Sequence, residues 1–276
     1  MKKLNDLKVR FVGAGNMASS LIGGLLNRGF LSSQITASDP GGHQRQRLTE
    51  KFGVQTFNDN NAHFGIPDVV ILAVKPQIMK QVALDIAQSV QETNALVVSI
   101  AAGIKIEHLE NWLSQDVAIV RTMPNTPALI GEGATGLFAN DRVTQVQKHL
   151  TESIMDSVGI SHWVDAEFKI DVVTALSGSG PAYFFLFMEY MQKTAIELGL
   201  SPEVAAKLTE QTALGSAILA QRSPDDIKVL RERVTSPNGT TEAALKSFNH
   251  NHLENVIKQA LQAANDRSVQ LSKEFS

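Results

Sequence analysis

Apolar residues in the first half of the chain fall into short continuous runs, and stretches of helical periodicity separate them. A continuous apolar run is typical of a strand covered on both faces, and helical stretches such as 76–84 then connect one strand to the next. The pattern predicts a doubly wound parallel sheet extending to about residue 164, with ligands at the carboxyl ends of its strands. The predicted strands are 9–12, 35–38, 54–56, 68–74, 95–100 and 117–120.

The alternation stops near residue 165, and almost all of the remaining chain has helical periodicity. We therefore predict two domains, at 1–165 and 166–276. One long apolar helix of the second domain is interrupted by Ser177-Gly178-Ser179-Gly180-Pro181. Because glycine costs about 1 kcal/mol and proline about 3 kcal/mol inside a helix, we expect a kink or a restart there, with a new helix beginning near Pro181.

Two Ser-Pro pairs are helix-start signals in the second domain. Ser201-Pro202 predicts a capped helix through Leu219, and Ser223-Pro224 repeats the signal. The apolar stripe of these helices is broad and rich in Ala and Gly. Since a small helical domain of this kind completes its core most readily against another subunit, we expect at least a homodimer.

Composition and charge exclude several classes of function. The chain has 276 residues, 43% of them hydrophobic, and a formal net charge of -3 without a basic or acidic block, so nucleic acid and membranes are poor partners. The absence of cysteine excludes disulfides and thiolate catalysis, and the histidines lack metal-ligand spacing, so we expect no metal site. Residues 1–6 carry charge without a following apolar core, so we expect no signal peptide. No continuous run approaches the ~18 apolar residues that span a bilayer, so we expect a cytoplasmic protein.

Glycines follow the first predicted strand directly, as Gly13-Ala14-Gly15-Asn16-Met17-Ala18. This segment matches the dinucleotide fingerprint G-x-G-x-x-G/A between a strand and a helix. Gly13 permits the sharp turn, Gly15 leaves room for a pyrophosphate, and Ala18 lets the helix pack closely on the strand. The free N–H groups of the helix then face the phosphates. A turn that serves packing alone is the alternative.

The end of the second strand bears on the choice of cofactor. Asp39, with Ser38 before it, lies near the place where an acid holds the ribose 2′-OH of NAD. Arg45 and Arg47 follow and are instead suited to the 2′-phosphate of NADP. A third interpretation is that 39–41 is simply a turn and that both arginines are solvated. The sequence leaves these interpretations open.

Two further strand ends carry distinctive residues. Lys75 follows the fourth strand and precedes Pro76, which suits the first position of a helix, so Lys75 lies either beside the cofactor or in solvent. The segment 121–128, RTMPNTPA, follows the sixth strand, and its two prolines restrict the loop. A rigid loop at a strand end suits one face of a flat ring, and a plain rigid connection explains the same residues.

Hydroxyl residues surround a Pro-Asn-Gly turn within 233–245, just before another predicted helix. As local structure this is a loop that caps the helix. The same exposed N–H groups and hydroxyls are also suited to binding a small carboxylate. Local chemistry favours the two interpretations about equally.

Five motifs occur in the order of one known family, and together they make the chain resemble a pyrroline-5-carboxylate reductase nearly end to end. The first is shared with all nicotinamide-binding domains, whereas the last two are specific to the family. Asn238 departs from the pattern, which commonly has glycine there; we expect the loop to survive because Asn tolerates positive φ better than other non-glycine residues. The motifs are 13–17, 73–77, 121–127, 175–183 and 234–241.

The resemblance implies an α/β fold: an N-terminal Rossmann-type doubly wound parallel sheet followed by an all-α C-terminal dimerisation domain. It implies that hydride from NADPH, or from NADH, reduces 1-pyrroline-5-carboxylate to L-proline, the last step of proline biosynthesis. It also implies dimers, often assembled into rings of five to give a decamer.

Residue roles implied by the resemblance fall into two sets. The cofactor set comprises Gly13, Gly15, Asn16 and Met17 at the pyrophosphate, Ser38 near the adenosine ribose, Asn60, Ala73, Val74, Lys75 and Pro76 along the cofactor, and Met123, Pro124 and Asn125 at the nicotinamide. The substrate set, for the carboxylate and ring nitrogen, comprises Ser236, Gly239, Thr240 and Thr241.

This chemistry fits the lack of a histidine base. A cyclic imine is easily protonated and its iminium accepts hydride, so the enzyme needs orientation and exclusion of water more than a strong acid. We expect the Thr241 hydroxyl to be the catalytic group, hydrogen-bonded to the imine nitrogen. A 3-hydroxyacid dehydrogenase is a rival, but its Lys–Asn pair one turn apart is not matched by Lys169 and Val172. A dinucleotide sensor is a second rival. The polar segment 236–241 argues against it, because a sensor needs no second polar pocket.

Overall fold

The structure is a computed structural model that describes residues 7–275. The segment 1–6, in which we expect no signal peptide, lies outside the described residues. Eight described strands form one sheet in the order β3-β2-β1-β4-β5-β6-β7-β8. They are β1 (Val9–Val12), β2 (Ile35–Ser38), β3 (Gln55–Phe57), β4 (Val69–Leu72), β5 (Leu96–Ser99), β6 (Ile119–Met123), β7 (Gly133–Ala139) and β8 (Gly159–Trp163).

The first six strands are parallel, as predicted, and the strand order reverses beside β1. The sequence did not indicate β7 or β8 as strands. β7 pairs antiparallel with β6, and β8 pairs parallel with β7. The sixth strand was also predicted too early, at 117–120, because a charged residue interrupts its apolar run. In the structure Arg121 and Thr122 are buried residues of β6 rather than the start of a loop.

Helices connect the strands and then make up most of the chain after β8. The helices of the sheet region are α1 (Asn16–Asn27), α2 (Gly42–Phe52), α3 (Pro76–Thr93), α4 (Ile106–Leu113) and α5 (Gln145–Met155). The later helices are α6 (Lys169–Val173), α7 (Gly180–Glu197), α8 (Pro202–Arg222), α9 (Ile227–Arg233), α10 (Thr240–His250) and α11 (Leu253–Glu274).

The core lies on both faces of the sheet, as a doubly wound fold requires. On one face Phe11 of β1 belongs to a buried cluster with Leu21 and Leu25 of α1. On the other face Val12 belongs to a second cluster, which includes Met79 and other residues of α3. Successive residues of a strand point to opposite faces, so β1 contributes to both clusters and is central to the fold.

Contacts within the chain divide it into two compact units. One unit extends to Ser179 and also includes the chain from Ala264 onward, and the other is Gly180–Ala263. The predicted boundary at 165/166 marks a change of sequence pattern, and as a boundary between functional domains it stays a prediction. The last turns of α11 belong to the first unit, a return of the chain that periodicity does not reveal.

The predicted interruption of the long apolar helix is confirmed. A π-helical segment covers Thr174–Gly178, closed by a bond from the Ser179 N–H to the Thr174 carbonyl (2.8 Å), and α7 begins at Gly180. The Ser201 cap is also confirmed, since its side chain accepts a bond from the Val204 N–H. The second Ser-Pro signal was wrong: Asp226 caps α9 instead, accepting bonds from two backbone N–H groups.

One helical stretch, Lys169–Glu197, is long and apolar enough to cross a membrane by length and composition, with a mean hydropathy of 1.3. The expectation concerned continuous apolar runs, and serine and glycine do interrupt this stretch, although its mean hydropathy stays high. Core helices of soluble proteins and signal sequences pass the same test, so one such helix is weak evidence for a membrane. Only 22% of the most apolar part of this stretch is buried, so most of its side chains are exposed in the single chain.

Candidate active site

Gly13 forms the sharp turn that leaves β1. Its φ of +104° lies in a region that residues with a side chain rarely adopt. A Cβ at this position would lie 2.5 Å from the Ala73 carbonyl oxygen. The Gly13 N–H donates to the Ser38 carbonyl at 2.7 Å, which ties the turn to the end of β2. Glycine is therefore required here by the protein's own packing.

Gly15 lies in a different environment from Gly13. A Cβ at Gly15 would meet no protein atom within 4 Å, so packing does not demand glycine. Gly15 is the N-cap of α1, and among the described residues no side chain caps it and no acceptor binds the N–H groups of Asn16 and Met17. Free N–H donors beside open space at a helix N-terminus suit a phosphate group. The loop thus fits the pyrophosphate of a dinucleotide.

Asp39 fastens this loop to the end of β2. One carboxylate oxygen accepts from the Ala14 N–H at 2.8 Å, and the other accepts from the Gly41 N–H at 2.8 Å. Both oxygens therefore serve the backbone of the protein. Of the interpretations open from the sequence, this arrangement favours the turn for Asp39.

The two arginines after β2 are also tied to the loop. Arg45 donates to the carbonyls of Asp39 (2.6 Å) and Pro40 (2.9 Å). Arg47 donates to the Asn16 side-chain oxygen at 3.1 Å and to the Ala14 carbonyl at 3.3 Å. They place positive charge beside the glycine loop, where an anionic ligand is favoured.

A cavity of about 690 Å³ opens at the carboxyl ends of β1 to β4, a size usual for a ligand site. Four residues of the predicted cofactor set, Gly13, Ser38, Asn60 and Val74, line it. The Ser38 hydroxyl donates to the Asn60 side-chain oxygen at 2.9 Å. The Asn60 amide in turn contacts an Asp85 carboxylate oxygen at 3.3 Å, so α3 also holds this group.

The segment after β4 begins α3 as the sequence indicated. Pro76 occupies the first turn of the helix, and Lys75 is its N-cap residue. The Ala73 N–H donates to the Val12 carbonyl at 2.7 Å, which continues the pairing of β4 with β1. Lys75 is exposed, and its ammonium has no partner among the residues that the structure describes. It is free to meet either solvent or an anion.

The segment after β6 is locked to the π-helical segment. Met123 ends the strand, and Pro124 and Asn125 follow it. The Asn125 side chain is buried: its amide donates to the Ser177 carbonyl at 3.0 Å, and its oxygen accepts from the Ala134 N–H at 2.9 Å. A Cβ at Gly178 would lie 2.6 Å from the Met123 methyl carbon. Close packing therefore fixes this predicted nicotinamide segment.

The polar loop of the second unit is a turn that leads into α10. The Gly239 N–H donates to the Ser236 carbonyl at 3.0 Å. Asn238 has a φ of +58°, which confirms that it takes the glycine-like conformation expected of it. Its N–H donates to the Glu242 carboxylate at 2.9 Å. This bond first, and Lys246 second, lowers the pKa of Glu242.

Several donors of this turn remain free. Gly239 is the N-cap of α10, and no side chain caps the helix. Among the described residues, the hydroxyls of Ser236, Thr240 and Thr241 have no hydrogen-bond partner, nor do the N–H groups of Thr240 and Thr241. Thr240 is exposed and Thr241 is half-buried. The substrate set is thus gathered at one helix N-terminus, where a carboxylate is stabilised.

Sequence reasoning missed two buried arginines. Arg10 and Arg121 lie inside strands and are 0% and 1% exposed. Arg121 contacts Glu167 at 3.2 Å and Asp171 at 3.0 Å. The sequence signal for such a buried arginine is a charged residue within an apolar run. This signal does not show which residues pair with the arginine. No group of three potential metal ligands occurs within residues 7–275.

Comparison with known proteins identifies two regions of the chain. A family model described as pyrroline-5-carboxylate reductase dimerisation matches residues 167–271. A model described as NADP oxidoreductase, coenzyme F420-dependent, matches residues 8–103. The first region includes the polar turn and the apolar helices of the second unit, and a dimerisation domain implies self-association. The second includes the glycine loop and the cavity.

Whole-chain relatives agree with these matches. The chain is 50% identical over 268 residues to the pyrroline-5-carboxylate reductase of Pseudomonas aeruginosa, covering 97% of this chain and 98% of that one. The solved pyrroline-5-carboxylate reductase of Coxiella burnetii matches with a TM-score of 0.93 at 44% identity, over 97% of this chain and 99% of that one. The Plasmodium falciparum pyrroline carboxylate reductase, solved with NADP bound, matches with a TM-score of 0.86 at 30% identity, over 98% and 100% of the two chains. The chain belongs to the pyrroline-5-carboxylate reductase family.

Proposed function

We propose that the protein reduces the C=N bond of 1-pyrroline-5-carboxylate to give L-proline, as an oxidoreductase acting on a CH–NH group. The observation that carries the proposal is the turn before α10, whose free hydroxyls and N–H groups suit a small carboxylate next to a ring nitrogen. The glycine loop adds a fitted phosphate site. A relative that is 50% identical over nearly the whole chain carries the reductase name.

NADPH is the proposed cofactor, with NADH as the alternative. When bound, its nicotinamide supplies the hydride. The N–H groups of Asn16 and Met17 hold the pyrophosphate beside Gly13 and Gly15. Positive charge from Arg45 and Arg47, and the use of both Asp39 oxygens by the backbone, support a phosphorylated ribose. The remaining proposed contacts are Ser38, Asn60, Ala73, Val74, Lys75, Pro76, Met123, Pro124 and Asn125.

The substrate residues have distinct proposed roles. The N–H groups at the start of α10 and the hydroxyls of Ser236 and Thr240 hold the carboxylate, and Gly239 lets the backbone approach it closely. The half-buried Thr241 hydroxyl bonds the ring nitrogen. The imine nitrogen takes its proton in solution or on binding, so no histidine or carboxylic acid is needed as the proton donor. Orientation of the substrate then supplies most of the rate enhancement.

Assembly and location complete the proposal. We propose a homodimer, with a decamer of five dimers as the larger assembly implied by the family. No nucleic acid, membrane or metal takes part, and the protein acts in the cytoplasm.

The test mixes the purified protein with NADPH and pyrroline-5-carboxylate and follows absorbance of the reduced nicotinamide. Parallel reactions replace NADPH with NADH, omit the imine, or offer a 3-hydroxyacid with NADP. Imine-dependent oxidation of NADPH with formation of proline is expected. NADPH binding without turnover would favour the sensor, and oxidation of the hydroxyacid would favour the dehydrogenase; either result would overturn the proposal.

A further inference from the structure

Arg10 is a buried cation at the centre of the sheet. It lies in β1 between apolar neighbours and is 0% exposed. By strand alternation it points to the same face as Val12, whose other neighbours in the core are apolar. Burying a guanidinium is costly unless its donors are satisfied, so the partners of Arg10 should explain its presence.

Those partners are carbonyls of one irregular segment. The chain passes from β3 to β4 through residues 58–68 without forming a helix, which leaves backbone carbonyls in need of donors. Arg10 donates to the carbonyls of Asn60 at 2.7 Å, Ala62 at 3.2 Å and His63 at 3.3 Å. One side chain therefore binds three carbonyls of this segment, while its buried Nε has no partner among the described residues.

Aromatic rings complete the enclosure of the guanidinium. Its central carbon lies 5.6 Å from the Phe57 ring centroid and 4.9 Å from that of Phe64, within the range of cation–π contacts. Burial lowers the pKa of Arg10, and Asp59 acts in the opposite direction. A guanidinium begins from so high a pKa that it keeps its charge, and with it all of its donors, at neutral pH.

The segment held by Arg10 also lines the 690 Å³ cavity. Asn58, Asp59 and Asn60 form part of its wall, together with Ser38. Arg10 donates to the Asn60 carbonyl, while the Asn60 side-chain oxygen accepts a hydrogen bond from the Ser38 hydroxyl. The buried charge and the cavity wall are therefore connected through a single residue.

We propose that Arg10 is a positioning residue for the adenosine half of the cofactor: it holds 58–64 in the shape that presents Asn60 to the ligand, without touching the ligand. The inference rests on the proposed function only in taking this cavity as a dinucleotide site. It assigns a role to a residue that no motif of the chain includes.

The test measures binding of cofactor fragments by calorimetry on the full chain. In Arg10→Met the three carbonyls lose their donor while the volume is nearly kept. We expect the Kd of 2′,5′-ADP, and that of NADPH, to rise about tenfold or more, the scale of one lost hydrogen bond to a charged group. The Kd of reduced nicotinamide mononucleotide should change less than about twofold, because that half lies away from the held segment.

Asn60→Ala tests the route of the effect. If Arg10 acts through Asn60, Arg10→Met should weaken 2′,5′-ADP binding much less in the Asn60→Ala background than in the wild type. Full additivity of the two substitutions would overturn the proposed route. Arg10→Lys, which keeps the charge but not the fork of donors, should fall between wild type and Arg10→Met, and it provides the comparison if Arg10→Met does not fold.

Val90→Ala is the matched control. Val90 is buried on the same face of the sheet, in α3, and contributes no atom to the cavity. It should lower the melting temperature without changing either fragment's Kd. Two results would overturn the proposed role and leave Arg10 as a general stabilising residue. One is that Arg10→Met weakens binding of both fragments equally; the other is that Val90→Ala weakens 2′,5′-ADP binding at similar stability. These binding measurements contain no imine, so failure of the reductase assay with normal NADPH binding would leave the inference standing.

Discussion

Two glycines of the loop after β1 show how residue type follows from different physical causes. Gly13 has a positive φ and no space for a Cβ beside Ala73. Gly15 has an ordinary φ of -70° and open space around it. The fold itself requires the first glycine, and the proposed pyrophosphate site would account for the second.

We therefore predict opposite effects of two alanine substitutions. Gly15→Ala should raise the Kd of NADPH about tenfold or more, because the new methyl group occupies ligand space, and should lower the melting temperature only slightly, by the small cost of alanine at a helix N-cap. Gly13→Ala should lower the free energy of unfolding by at least ~1–2 kcal/mol, the cost of a left-handed backbone with a side chain. Calorimetric binding and thermal unfolding check both. Wild-type NADPH affinity in Gly15→Ala would contradict the pyrophosphate site.

Thr241 is the residue on which the proposed chemistry depends most directly. Thr241→Ala should lower kcat for pyrroline-5-carboxylate by about tenfold or more, the low end of usual acid–base contributions, because the ring nitrogen loses its hydrogen bond. Thr241→Ser keeps a hydroxyl and should stay close to wild type. Steady-state kinetics on both variants, with melting temperatures compared, test this. An unchanged kcat in Thr241→Ala would refute the role.

At the scale of elements, a buried charge network attaches the end of the chain to the sheet. Arg121 of β6 contacts Asp171 of α6, and the Ser268 hydroxyl of α11 donates to the same carboxylate at 2.8 Å. Ser268 and Asp171 are 3% and 2% exposed. The contact joins residues that are 97 positions apart, so it brings the last turns of α11 into the first unit.

Asp171→Ala should lower the free energy of unfolding by about 3 kcal/mol or more, because it leaves a buried guanidinium with one partner fewer and a serine without its acceptor. Lys207→Ala is the control: it breaks an ion pair with Glu203 in which both side chains are more than 70% exposed, and should cost less than ~1 kcal/mol. Urea unfolding measures both. Similar losses in the two variants would mean that the network adds no stability.

At the scale of the whole molecule, the second unit cannot bury its own apolar residues. Within Gly180–Ala263 the buried residues are Gly180, Ala205 and Thr209. Phe184 and Phe185 of α7 are 70% and 62% exposed in the single chain. An apolar surface of this kind marks an interface, in agreement with the match to a dimerisation model.

We predict that Phe185→Asp shifts the protein to a smaller assembly, because a carboxylate buried at an apolar interface would lack a partner. Glu92→Lys, a charge reversal on the exposed surface of α3, should leave the assembly unchanged. Sedimentation velocity at matched concentrations distinguishes the species. Identical sedimentation of Phe185→Asp and wild type would exclude this face of α7 from the interface.

Much of the fold was predictable because its signals are short-range. The second strand, 35–38, was predicted at its observed bounds, and the Pro76 and Ser201-Pro202 helix starts were confirmed. The sixth strand was misplaced because Arg121 looks like a loop residue until its buried partners are known. The Ser223 signal failed for a different, local reason: Asp226, three residues later, caps the helix by accepting hydrogen bonds from two backbone N–H groups.

The sequence by itself determined the alternation of strands and helices, the glycine turn, the helix starts and the motifs of the family. These depend on sterics and hydrogen bonds between residues close together in the chain. Only the tertiary structure decided that Asp39 serves the backbone of the loop, that Arg10 holds the segment before β4, and that the end of α11 returns to the sheet. Such pairings depend on which distant groups the fold brings together. A charged residue within a strand indicates that it has buried partners, but the sequence does not show which residues they are.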